Sequence, residues 1–284
     1  MRFVQWSNGQ RVPALGLGTW RMGESPRARK NEVQAVMQAF ETGYRLIDTA
    51  EMYGDGGAES VVGEAIQLAI NAGSVRREEL IVVTKVLPSH ATRDGVVRAC
   101  ERSLKRLAID TVDLYLLHWR GATPLKETVA AFEQLRNQGR IQQWGVSNFD
   151  TSDMQQLWSF AEGRRCIANQ VYYSASARDA EFDLFPWHRE HSVVTMAYSP
   201  IDQGALARDA TFDSIGRRHG ISATSAALAW VLRQPDMIAI PMSGSAPHLR
   251  ENFAAASVDL TAEDLAQVDA QFPPTKRKRP LATT

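Results

Sequence analysis

The feature that most constrains this chain is an alternation. Short β-branched or apolar runs recur eight times, each followed by a longer segment, and many of those segments carry apolar residues at helical spacing. The runs occupy residues 15–19, 45–49, 80–85, 112–118, 141–147, 166–171, 193–198 and 237–241. Between and after them, the spacing predicts helices over 31–42, ending at Gly43, and over 92–107, with Thr92 as N-cap. Further helices are predicted over 125–137, stopping before Gly139, over 151–162, stopping at Gly163, and over 222–233, ending before Pro235. A last one, 262–271 with Thr261 near its start, is an extra C-terminal helix. Strands that alternate with helices at this spacing lie parallel and are joined by right-handed crossovers. Eight units without a break in composition predict one α/β domain over residues 1–284, a closed (β/α)8 TIM barrel. Residues 4–15 read as an N-terminal β-hairpin turning at Ser7-Asn8-Gly9, placed to plug one end of the barrel.

Charge narrows the range of partners. Lys+Arg and Asp+Glu both number 32, so no field of one sign is present to hold nucleic acid or an anionic membrane. A small-molecule substrate and a monomer are expected. No apolar run reaches membrane-spanning length, and the opening MRFVQWSNGQ has no signal-peptide core, which predicts a cytoplasmic protein. Cys100 and Cys166 form no Cys-x-x-Cys pair, and Cys100 shares an apolar helical stripe with Val96, Val97, Leu104 and Leu107, so it reads as core. His90, His118, His188, His191, His219 and His248 make no metal-binding cluster. The run Lys276-Arg277-Lys278-Arg279 reads as a solvated, partly disordered tail, with a place beside the substrate as the second reading.

In such barrels catalytic side chains come from the carboxyl ends of strands and the loops after them. The second run ends at Asp48, with Tyr53 following in EMYGDGG; the third ends at Lys85 and the fourth at His118. Taken singly, such residues read as a helix cap, a solvated lysine and a hydrogen-bonded histidine. Together they bring four ionisable groups to one mouth. Lys85 has the parity of Ile81 and Val83, so it points into a covered strand face and needs a partner, which Asp48 supplies. A free tyrosine has a pKa of about 10. A lysine ammonium roughly 4 Å away, at an effective dielectric of about 20, favours the phenolate by about 4 kcal/mol, less what Asp48 cancels. The sequence thus predicts that Lys85 lowers the Tyr53 pKa, while His118 donates a hydrogen bond to a substrate carbonyl oxygen. No side chain supplies a hydride, so a reduction needs a cofactor. The glycine fingerprint of a doubly wound domain is missing: Gly16-Leu17-Gly18 lacks its third glycine, and Gly54-Asp55-Gly56-Gly57 lies in a loop.

The segment GYRLIDTAEMYGDGGAESVVGEAI, the Lys ending IVVTK, the His ending VDLYLLH and the motif GVSNF resemble the aldo-keto reductase superfamily, in its bacterial type with short substrate loops. The resemblance spans essentially the whole chain. It implies NAD(P)H-dependent reduction of aldehydes and ketones, with Asp48, Tyr53, Lys85 and His118 as catalytic residues. It implies that Ser147, Asn148 and Gln170 hold the nicotinamide carboxamide, that Tyr198 stacks on the ring, and that Ser199, Pro200 and Ile201 begin a loop over the pyrophosphate. Thr19, Trp20 and Asp48 complete that end of the cofactor site, and Met242, Ser243, His248, Glu251 and Asn252 the adenosine end. Trp20, Tyr53, His118 and Trp119 are the implied substrate contacts.

Within IPMSGSAPHLREN, Met242 and His248 occupy places where NADPH-preferring members carry Lys and Arg. A 2′-phosphate rewards fixed cations, so NADP(H) is expected first with NAD(H) close behind. The loops after His118 and Phe272 look short, which predicts an open rim. Two other functions stay open at this level. One is a nucleotide-binding, redox-sensing regulatory protein, although the chain has no long N-terminal extension. The other is a barrel lyase using Lys85 as a Schiff base.

Overall fold

The computed structural model describes residues 1–283. Strands β1 (Phe3–Gln5) and β2 (Arg11–Pro13) form an antiparallel hairpin, with Val4 opposite Val12 and the turn closed by Gly9 N–H donating to Trp6 O at 2.8 Å. Val4, Trp6 and Val12 are buried, and Arg2 donates to the Leu232 and Val258 carbonyls at 2.7 and 2.8 Å.

Eight parallel strands follow: β3 (Leu17–Gly18), β4 (Leu46–Asp48), β5 (Ile81–Val86), β6 (Val112–Leu117), β7 (Ile141–Ser147), β8 (Ala168–Tyr172), β9 (Val194–Tyr198) and β10 (Met237–Ala239). They are hydrogen-bonded in chain order from β3 to β10. Bridges from Leu15 to Ala239 and from Gly18 to Met242 bring the first and last strands together. Across this seam Gly16 N–H donates to Ala239 O at 2.9 Å and Gly18 N–H to Pro241 O at 3.1 Å. A Cβ on Gly18 would lie 2.6 Å from the Ile240 carbonyl oxygen, so only glycine permits this approach. The chain is a (β/α)8 barrel with an N-terminal hairpin.

The helices are α1 (Arg29–Thr42), α2 (Gly57–Asn71), α3 (Arg93–Leu107), α4 (Leu125–Asn137), α5 (Thr151–Trp158), α6 (Leu184–Glu190), α7 (Ala210–His219), α8 (Ala223–Leu232), α9 (Ala246–Ala255) and α10 (Ala262–Gln271). The expected stops and starts recur: Gly43 is left-handed at the end of α1, and Thr92 Oγ1 accepts from Gly95 N–H at 3.2 Å. Helix α5 ends at Trp158 rather than Glu162, and a separate 3₁₀ turn (Glu162–Arg165) follows. Helices α2, α6, α7 and α9 were not predicted. Four glycines within residues 54–63 hide α2, Pro186 interrupts the seven-residue α6, and Pro247 in the first turn disguises α9.

Strand residues such as Val82, Val83, Leu114 and Leu116 are fully buried. Cys100 and Cys166 are free thiols in that core, and burial pushes both up to about 12. No helix among the described residues is long and apolar enough to cross a membrane. The basic tail is less free than expected: Lys278 Nζ donates to both carboxylate oxygens of Asp183, at 2.8 and 3.0 Å.

Candidate active site

Four strand ends and one turn build the site. β4 delivers Asp48, and its neighbour β5 delivers Lys85. Tyr53 starts a short 3₁₀ turn (Tyr53–Gly56) whose Gly54 sits at φ 56°, where a Cβ would meet the Gly23 backbone at 2.7 Å. That glycine lets the turn pack down so that Tyr53 reaches Lys85. Lys85 is fully buried, and Nζ donates to Asp48 Oδ2 at 2.7 Å, to the Thr49 carbonyl at 2.9 Å and to Tyr53 Oη at 3.2 Å. The other Asp48 oxygen accepts from Gln170 Nε2 at 2.7 Å, which links β4 to β8 across the barrel. The cluster of Asp48, Lys85 and Tyr53 expected from the sequence is therefore assembled.

Its electrostatics differ from the sequence expectation in one respect. Burial pushes the Tyr53 phenol up and outweighs the pull of Lys85, with Asp48 adding to the rise. The pKa of Tyr53 lies above the ordinary phenol range in the free protein. The sequence argument counted the ammonium and left out desolvation. For Lys85, burial alone favours the neutral amine, but Asp48 and Tyr53 overcome it and hold the ammonium charged. Burial likewise pushes the Asp48 carboxyl up, against the opposing pull of Lys85 and Gln170.

His118 follows β6 and is anchored by its own N–H, which donates to Val86 O at 3.0 Å. Its ring meets Tyr53 edge-on with centroids 5.8 Å apart and tilts over Trp119 at 4.9 Å. Burial first, and then the Lys85 charge, push its pKa down to about 2, so the imidazole is neutral at any physiological pH. Nδ1 is buried without a hydrogen-bond partner among the described residues. His118 lines the mouth cavity, which leaves Nε2 as the ring nitrogen a ligand can reach.

That cavity holds about 730 Å³. Asp48, Tyr53 and His118 line it together with Ser147, Asn148, Gln170, Tyr198, Ser199, Pro200, Ile201, Thr19, Trp20, Trp119 and Met242. Asn148 is held at a left-handed φ of 59°, its Nδ2 donating to the His118 carbonyl and to Ser147 Oγ, both at 3.2 Å, and its Oδ1 accepting from Tyr198 Oη at 2.9 Å. Tyr198 stacks on Tyr172 with centroids 5.7 Å apart. Ser243, His248, Glu251 and Asn252 do not line this cavity; they lie in the loop after β10 and in α9, with His248 and Glu251 exposed and Asn252 buried. The rim also contains Arg21, Met52, Arg120, Gln203 and Thr283, which the sequence reading did not single out. Although little chain follows Phe272, Thr283 lines the mouth. The tail folds back to the mouth, a long-range return that no local pattern encodes.

A model of the aldo/keto reductase family matches residues 14–271. Methylglyoxal reductase YeaE of Escherichia coli is 44% identical, over 99% of this chain and 98% of its own length. Glyoxal reductase of Bacillus subtilis is 32% identical over 94% of this chain and 91% of its own. A crystal structure of an aldo-keto reductase from Klebsiella pneumoniae in complex with NADPH superposes with a TM-score of 0.94 at 44% identity, covering 100% of this chain and 99% of that one. Fold, mouth geometry and relatives agree: the chain belongs to the aldo/keto reductase family and is an oxidoreductase.

Proposed function

We propose that this enzyme, with residues 1–284 as one domain, reduces small aldehydes and ketones to alcohols with NAD(P)H. The observation that carries the reading is the buried contact of Lys85 with Asp48 and Tyr53 beside a neutral His118, at one end of the cavity. The remaining residues suit the cofactor. Ser147, Asn148 and Gln170 present amide and hydroxyl groups beside the Tyr198 ring, as a carboxamide and a flat heterocycle require. Asn252 Oδ1 is buried without a partner among the described residues and would accept from an amine donor such as adenine once a local shift uncovers it. Ser199, Pro200 and Ile201 would border the pyrophosphate, with Thr19 and Trp20 across from them and Met242, Ser243, His248 and Glu251 toward the adenosine. The nicotinamide, when bound, supplies the hydride.

The protein's own residues handle the proton and the charge. His118 donates from Nε2 to the substrate oxygen, a role its neutral state allows because a neutral imidazole still carries one N–H. Tyr53, kept protonated by burial, gives its proton to that oxygen as negative charge grows there. The resulting phenolate lies 3.2 Å from the Lys85 ammonium, which limits the cost of forming it. The raised pKa therefore keeps the acid loaded, and Lys85 makes the proton transferable. Trp20, Trp119 and Met52 form apolar walls that fit a small carbonyl compound. The Schiff-base reading is disfavoured because all three Lys85 donor positions are occupied and its pKa moves up, away from a nucleophilic amine.

NADP(H) stands first because the Klebsiella pneumoniae relative was crystallised with NADPH, while Met242 and His248 keep NAD(H) as the alternative. The test is a titration of tryptophan fluorescence with each nucleotide, followed by nicotinamide oxidation in the presence of methylglyoxal. Binding with turnover supports the reading. Binding without turnover on any aldehyde would favour the regulatory alternative.

A further inference from the structure

Three charged side chains line the mouth cavity: Asp48, Arg21 and Arg120. Asp48 is paired with Lys85, so among the described residues the cavity presents two guanidinium groups and no unpaired carboxylate side chain. Arg21 is exposed, and its guanidinium lies over the Trp20 ring, 4.6 Å from the centroid. Arg120 is different in kind. It is half-buried and stands two residues beyond His118, on the loop that carries Trp119. Its Nη1 donates to the carbonyls of Gly121 and Thr123, the latter at 3.0 Å, which fixes the plane of the group without cancelling its charge. Nε and Nη2 have no partner among the described residues. Asp153 is close enough to feel the charge, but its carboxylate accepts from the Asp150 amide in the cap of α5 instead.

A guanidinium held in a wall by backbone carbonyls, with donors left over, suits the fork of a carboxylate. We propose that Arg120 is a specificity residue, and that the preferred substrates are short carbonyl compounds that also carry a carboxylate, which Arg120 holds while His118 takes the carbonyl oxygen. The inference rests on the reductase reading above and adds the chemical class of the substrate. It also assigns a job to the loop after β6, because that loop supplies the carbonyl contact and the carboxylate contact two residues apart.

The test compares 4-oxobutanoate with its methyl ester, which presents the same aldehyde without the charge. A hydrogen bond between charged groups is expected to favour the acid in kcat/KM by about 10- to 100-fold. Arg120→Gln should remove most of that ratio, Arg120→Lys should restore part of it, and Arg21→Gln should leave it near the wild-type value. Because the ratio is internal to each variant, a loss of folded protein does not imitate the effect. Equal kcat/KM for acid and ester in the wild type overturns the proposal alone. So does a ratio that survives Arg120→Gln, or one that disappears with Arg21→Gln instead. If neither compound is reduced with either nicotinamide nucleotide, the reductase reading falls and takes this one with it.

Discussion

Lys85→Met is the substitution that should expose the construction of the site most fully. It removes an ammonium that is 0% exposed and lies 2.7 Å from a carboxylate that is 2% exposed. At that distance and an effective dielectric of about 20, the Coulomb attraction has a ceiling of about 6 kcal/mol. Measured losses on breaking one side of a buried pair are about 3–5 kcal/mol, because the remaining charge is stranded. Thermal unfolding of Lys85→Met should therefore begin roughly 6–15 °C lower. Asp48→Asn alone should also be costly, since it strands Lys85. The double variant Asp48→Asn/Lys85→Met strands neither, so its loss should be smaller than the sum of the two by about 2–4 kcal/mol, while turnover stays absent.

The pH dependence follows from the sign of the Asp48 shift. Burial already raises its pKa, and Lys85→Met removes the main opposing charge. A carboxyl whose folded pKa is raised binds its proton more tightly in the native state. Lys85→Met should thus gain stability as pH falls from neutrality toward about 4, and lose it again as pH rises through the folded pKa. Urea unfolding followed by tryptophan fluorescence at several pH values measures all four proteins. Additivity of the two single losses within about 0.5 kcal/mol would refute the coupled-pair argument.

Tyr53→Phe should abolish nearly all turnover while nucleotide affinity, read by fluorescence titration, changes little; wild-type-like turnover would overturn the assignment of the acid. With Tyr53 raised above the phenol range and His118 near 2 in the free protein, kcat/KM for reduction should hold through neutrality and fall only above about pH 10, so a histidine-like step between pH 6 and 7 in a full kcat/KM profile would contradict the site. Met242→Lys with His248→Arg should shift the ratio of affinities toward NADPH, and an unchanged ratio would remove those positions from the adenosine site. Gly18→Ala should destabilise the barrel by about 1–3 kcal/mol or more, because its Cβ meets the Ile240 carbonyl at 2.6 Å; a neutral effect in urea unfolding would show that the seam can yield.

Much of the fold could be read from periodicity, and the reasons are visible in particular elements. Strand β7 and helices α4 and α10 match their predicted ends because each is bounded by a polar turn, a glycine or a capping threonine. Helix α2 went unseen because its glycines and alanines give a weak apolar stripe, although Ala58, Val61, Val62, Ala65 and Ile66 are buried. The cluster of Asp48, Lys85 and Tyr53 was legible because two of its members stand at or one residue before strand ends and the barrel brings neighbouring strand ends together. The direction of the Tyr53 shift was not, since it depends on how completely tertiary packing excludes water. Arg120 and Thr283 were missed for a related reason: their place at the mouth is set by a loop and by a returning tail, neither of which leaves a local pattern.

The layout of the mouth separates two kinds of inheritance. Asp48, Lys85 and Gln170 are strand residues locked to one another, so a change at any of them disturbs its neighbours and the chemistry together. Trp20, Met52 and Trp119, all exposed, stand on loops around the opening and can be exchanged without moving a strand. A descendant of this gene can acquire a new diet by rewriting its rim, while the reaction it performs stays fixed by the barrel beneath.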